Sequence, residues 1–326
     1  MSGRNVYEQL MSTARSKLLG TTSSTDRAIV GIYRRAAADL AERAGSAKPG
    51  GLTERWASDY SASLSERMAE MRGEVGGVIR GAMRTSAQLP VTATEDWLTA
   101  ALKRGGVDGS FRGALPSTPD DALRALLNGK RYRDGKTLSK RIWSHTGRLQ
   151  LGIEEVVAQG IAQKRSAYHI AKDLEAYLNP EAAVPYDWRN VYPDIPFPLR
   201  VDYNAQRLAR TAINQAYWAA NLEAAKCNPM CTAIHWALSP SHYERQVAPH
   251  GEDECDVYAA HDEGLGVGNW STSSLPMPHP QCLCIQYQVV PDSLDAVADK
   301  LTSWIDGGDD PAMDAGFAQW RKERGL

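Results

Sequence analysis

The chain has 326 residues, 43% of them hydrophobic, and a formal net charge of −2; this supplies an ordinary core and suggests two or three domains. The near-neutral balance gives no global sign of affinity for nucleic acid or a membrane surface, and no run of about 18 apolar residues exists to span a bilayer. The opening MSGRNVYEQL lacks the apolar stretch of a secretory signal, so a reducing cytosol is the default, and the five cysteines are expected as thiols or metal ligands rather than disulfides.

The N-terminal two-thirds reads as helical. Ser24 or Thr25 can cap a helix carrying Ile29, Ile32, Tyr33, Ala36 and Leu40, ending near Gly45, and SAKPGG at 46–51 is a break. From Thr53 a longer stripe runs through Trp56, Tyr60, Leu64, Met68, Met71, Val75, Val78, Ile79 and Met83 at steps of three or four, one face of a helix. Unbroken over 53–86 it would be roughly 50 Å long, with Gly76 and Gly77 as points of interruption. Such a stripe packs on a neighbouring helix, and it also suits an extended arm that docks on another subunit. STPDDALRALLNG at 117–129 is a strong helix signal: Ser117 or Thr118 as cap, Pro119 at the first position, two aspartates in the first turn and Gly129 as the stop.

Residues 130–148 hold seven Lys/Arg against one Asp. They read either as a solvated positive face or as a contact for phosphate backbone or an acidic partner, through Lys130, Arg131, Arg133, Lys136, Lys140 and Arg141. Residues 149–178 read as a helix, a tight turn at QKRS and a second helix capped by Ser166. The five prolines in 179–201 make a connector that holds a domain boundary. A helix over 202–226 follows. Then TAIHWAL (232–238) and CIQYQVV (284–290) alternate as short strands, separated by a long polar loop containing the turn GLGVGN. Helices over 292–305 and 310–323 close the chain. The fold class is therefore mainly α with a small α+β C-terminal domain and extended N-terminal helices. In chain order it divides as 1–130, 131–195, 196–291 and 292–326.

Metal-capable side chains cluster late, from Cys227, Cys231, His235, His242 and His250 through Cys255 and His261 to His279, Cys282 and Cys284. Zinc takes thiolate and imidazole in a four-ligand shell, and a polar loop as long as 239–281 needs some tie. Three readings stay open: a structural zinc site, buried unliganded thiols, or a catalytic thiol at Cys282 with His279 nearby. GLGVGN lacks the spacing of a dinucleotide fingerprint.

The order of LSKRIW, GIAQKRSAYHIAKDL, RLARTAINQAYWAANLEA, HWALSPSH, ECDVYAAHDEGLGVGN and PHPQCLC resembles the phage Mu protein F-like minor head proteins, the phage head morphogenesis family, over about 135–290. That resemblance implies a low-copy virion protein inside the head near the portal, made in the host cytoplasm and acting in capsid assembly, genome packaging or genome delivery. Its partners would be the portal protein, the major capsid protein and packaged double-stranded DNA, with no membrane role. By position it implies His242, Cys255, His279 and Cys282 as a zinc set, with Cys284 as a substitute, and places Arg207 and Arg210 on the family's Arg-Thr helix. Two features depart from the pattern. Leu283 stands where the family has arginine, and the longer stretch from His242 to Cys255 brings in His250 as a rival ligand.

A non-enzymatic capsid protein is the leading expectation. The alternative is a metal-dependent nuclease or other hydrolase acting during genome entry, with His261 and Asp262 supplying a base beside an open zinc position.

Overall fold

The computed structural model describes residues 3–46, 54–115, 118–132, 134–198 and 200–323. Thr53, Ser117, Arg133 and the break at 47–51 lie outside these residues, and the side chains of Trp56 and Thr118 are likewise not described. The chain is 67% helical, with eleven helices among the described residues and a small three-stranded antiparallel sheet near the C-terminus. In order these are α1 (Gly3–Gly45), α2 (Glu54–Arg104), α3 (Thr118–Leu127), α4 (Leu138–Ala162), α5 (Ala167–Leu178), α6 (Trp188–Val191) and α7 (Tyr203–Cys227). There follow β1 (Ala233–Ala237), a π-helical turn (Tyr243–Val247), α8 (Ala248–His250), α9 (Glu254–Ala260), β2 (Asn269–Trp270), β3 (Ile285–Val289), α10 (Leu294–Ile305) and α11 (Pro311–Glu323).

The two long helices exceed their expected bounds for the same reason. The cap expected at Ser24 or Thr25 is not used, because buried Tyr7, Met11, Ala14 and Leu18 carry the three-to-four spacing back to the start of α1. The helix expected over 53–86 passes Gly76, Gly77 and Pro90 and reaches Arg104. Proline removes a helical donor, but buried Val91, Trp97, Leu98, Ala101 and Leu102 keep the stripe going.

The chain groups into two compact units: Met1–Thr22, Gly81–Arg133 and Arg210–Leu326 form the first, and Ser23–Arg80 with Asp134–Ala209 form the second. This grouping cuts across the chain-order segments 1–130, 131–195, 196–291 and 292–326. In the second unit, Leu64, Met68, Met71 and Ile79 are fully buried. The methionine-rich stripe is thus packed inside the chain, as its spacing suggests. Ser166 caps α5 as expected, its Oγ accepting from the His169 N–H at 3.3 Å. The proline-rich stretch lies inside this unit with both its flanks. Trp188 anchors it, donating its indole N–H to the Ile195 carbonyl at 2.8 Å while its ring stacks on Tyr177.

In the first unit, α10 and α11 close over the same core as the start of α1 and the end of α2. Trp97, Phe111, Tyr217, Trp304, Phe317 and Trp320 are buried there, each large ring contributing roughly 2–3 kcal/mol. The sheet has the order β2-β1-β3, with His235 opposite Tyr287 and Trp236 opposite Gln286. Side-chain amides from α7 and the residue after it bind along β3 and the turn before it. Asn214 donates to the Cys282 carbonyl (3.0 Å), Asn221 to the Gln286 carbonyl (3.1 Å), and Asn228 to the Gln288 side chain (2.8 Å). Asn214 and Asn221 are seven residues apart, about two helical turns, so they share one face of α7.

Candidate metal centre

Three segments of the first unit meet beside the end of β1. Cys255 sits in the first turn of α9, where a reciprocal cap fixes the backbone: Asp253 Oδ1 accepts from the Cys255 N–H (2.7 Å), and Asp256 Oδ2 accepts from the Asp253 N–H (2.8 Å). Cys282 and Cys284 lie at the entry to β3. Their loop is tied to α7 by the Asn214 bond and by Thr211, whose hydroxyl accepts from the Gln281 N–H at 3.1 Å. His242 follows β1 and is buried.

The sulfurs of Cys255 and Cys282 are 3.4 Å apart, far beyond the roughly 2.05 Å of a disulfide bond. With Cys284 they form a buried trio whose sulfurs all lie within 4.8 Å of one another. His242 Nδ1 stands 3.7 Å from the Cys284 sulfur, and its Nε2 lies 3.0 Å from Asp256 Oδ2.

The electrostatics follow from the shared protons. Hydrogen bonds from Cys255 and then Cys282, helped by the Ser239 N–H and the His242 charge, bring the Cys284 thiol down to about 3 against the pull of burial. Cys255 moves up, since its bonds to Cys282 and Cys284 and its burial favour the thiol. Cys282 also moves up: its bond from Cys255 works the other way, but the bond to Cys284 and burial outweigh it. Burial pushes His242 down, yet the Asp256 bond and the charges of Cys284, Asp256 and Asp253 leave it raised. One thiolate sharing the protons of two thiols is an arrangement that a divalent cation can resolve, by taking all three sulfurs as thiolates. Three sulfurs and an imidazole whose far nitrogen rests on a carboxylate form a donor set that fits tetrahedral zinc.

Of the residues implied by the resemblance, Cys255 and Cys282 are therefore together, Cys284 completes the trio, and His242 joins it through Cys284. His279 borders the trio on its Cys255 side: Nε2 lies 3.2 Å from Asp253 Oδ2 and Nδ1 2.9 Å from the Pro280 carbonyl. It forms a second close group with Asp253 and Cys255. His250 is exposed and joins neither group among the described residues. Cys231 donates its thiol to the Ala233 carbonyl at 3.2 Å, and burial pushes it up to about 12. Burial, then Glu223, raises Cys227.

His261 stacks on Trp270 with ring centres 3.8 Å apart. Asp262 Oδ1 accepts from the Gly264 and Gly266 N–H groups at 2.8 and 3.0 Å. That carboxylate organises the GLGVGN turn, whose three glycines all take positive φ.

The basic run divides between the units. Arg131, in the first, pairs with Glu223 at 2.9 Å and lies over the Trp218 ring; Lys130 beside it is exposed. In the second, Arg141 pairs with Asp134, whereas Lys136 and Lys140 are exposed. Sequence reasoning missed Asp253, Asp256, Asn214 and Thr211, which hold the ligands in place. The D-x-x-D spacing just before the cysteine-bearing helix is a readable cap signal.

Comparison of the chain with protein-family models, curated proteins and solved structures gives no match. No described helix is long and apolar enough to cross a membrane.

Proposed function

We propose that this chain is a non-enzymatic minor capsid protein of the phage Mu protein F-like kind, with its first unit stapled by zinc on Cys255, Cys282, Cys284 and His242. It would act in low copy inside the head near the portal, in capsid assembly, genome packaging or genome delivery. The portal protein, the major capsid protein and packaged double-stranded DNA would be its partners. The single observation that carries this reading is the convergence of three buried sulfurs from α9 and the 282–284 turn, both within the motif order that suggests the family. A closed shell of four protein ligands favours a structural role, because a catalytic zinc keeps a position for water. Zinc bound there would pin the polar 239–281 loop to α7 and β3.

Metal analysis of the purified chain tests the staple: about one zinc per chain is expected, and Cys255→Ser should lose it along with thermal stability. Quantitative mass spectrometry of intact particles tests the placement, with a few copies per head expected. The hydrolase alternative calls for DNA cleavage that a chelator abolishes. Uncut DNA under both conditions is the outcome expected here.

A further inference from the structure

Apart from the cysteine cluster, the first unit holds a cleft of about 590 Å³, a size typical of small-molecule sites. One wall is a face of the sheet: His235 of β1 and, at alternate positions of β3, Ile285, Tyr287 and Val289. Such residues share a face because strand side chains alternate. The other wall is the Met11 and Arg15 face of α1 together with Trp97 of α2.

The polar groups around this cleft are unbalanced. Its carboxylates and the Asn269 side-chain oxygen are engaged. The Asp292 carboxylate pairs with Lys300 at 2.5 Å, Asn269 Oδ1 lies 2.8 Å from His235 Nδ1, and Glu8 also has a partner. Its donors are not. The indole N–H of Trp97 is fully buried without a hydrogen-bond partner among the described residues. The Arg15 guanidinium has no hydrogen bond or ion pair among them either, and its field bears on the buried Tyr217 hydroxyl. A buried donor left without a partner is costly, and a guanidinium beside apolar side chains is satisfied best by an oxyanion. Met11, Ile285, Tyr287 and Val289 supply apolar surface around these donors.

We infer that the cleft binds an organic anion with an apolar body. Its acidic group meets Arg15, and its body lies on Tyr287 and Val289. A free amphipathic acid and the terminal carboxylate of a peptide share this chemistry.

The test uses the purified full chain and 1-anilinonaphthalene-8-sulfonate as a fluorescent probe. One saturable site is expected, with Arg15→Met weakening it at least tenfold while circular dichroism and Tm stay unchanged. Val289→Trp should fill the cleft and abolish binding. Neutral N-phenyl-1-naphthylamine should bind at least tenfold more weakly than the sulfonate. Displacement by octanoate assigns the site to free acids. Displacement only by a hexapeptide with a free C-terminus, and not by its amide, assigns it to a chain end. Undiminished binding in Arg15→Met, equal affinity for the neutral probe, or no displacement by either carboxylate overturns the inference.

Discussion

His242 Nε2 lies 3.0 Å from Asp256 Oδ2, and the same carboxylate oxygen accepts the backbone N–H that starts α9. One side chain thus sets both the orientation of the imidazole and the position of Cys255. The Asp253 N–H and the His242 ring hold the Asp256 carboxyl below its usual range, although burial acts the other way. Outer groups of this kind tune metal affinity by about 10- to 100-fold. Asp256→Asn should therefore keep the fold and weaken zinc by that factor in competition with a chromophoric chelator. Unchanged affinity would remove His242 from the ligand set.

Gly268 takes φ +75°, and a Cβ there would lie 2.9 Å from His235 Cε1 and 3.1 Å from the Ala259 carbonyl oxygen. Gly264, at φ +92°, has nothing within 4 Å. Left-handed backbone alone costs a non-glycine residue roughly 1–2 kcal/mol. Gly264→Ala should lose about that much in denaturant unfolding, and Gly268→Ala clearly more. Equal losses would mean that the neighbours yield without cost.

Glu95, on α2 in the first unit, accepts from the Leu115 N–H at 3.0 Å. Burial is the largest influence on its carboxyl and leaves it raised despite the Leu115 and Gly113 N–H groups. The folded state therefore holds this proton more tightly than the unfolded chain. Stability from this group is full at pH below the ordinary glutamate range, and it falls as pH rises through the raised folded value. Glu95→Gln should raise Tm at pH 7 and leave it unchanged at pH 3. A gain of the same size at both pH values would trace the effect to packing instead of charge.

If packaged DNA meets the basic run, exposed Lys136 and Lys140 are the groups to reverse, because Arg131 and Arg141 are committed to Glu223 and Asp134. Lys136→Glu with Lys140→Glu should weaken DNA binding without changing the melt. The slope of log K against log salt should fall by about 2, near 0.9 per lost phosphate contact. A slope that does not move would leave those lysines as solvated surface.

Much of the fold was legible wherever a periodic stripe met a cap. The strands expected at 232–238 and 284–290 form over 233–237 and 285–289, and the helix beginning after Ser293 ends at Ile305 as expected. Ser166 and the turn before it follow the pattern as well. What escaped was long-range. The helix expected to end at 86 runs on past Pro90 to Arg104, because burial of Trp97 and Leu98 carries it. The prolines near Trp188 read as a loose connector, yet a ring cluster packs them. The cysteines declared a cluster, but spacing alone could not tell His242 from His279. Both imidazoles lie against Asp253, at 3.8 and 3.2 Å, and only His242 also reaches Asp256, a relation that exists only once α9 has formed.

The asparagine contacts along β3 have a consequence for self-association. A bare border on a small sheet invites neighbouring copies to zip on and grow into fibres. With the carbonyls of Cys282, just before β3, and Gln286, within it, already occupied, that route to self-polymerisation is hindered on this side.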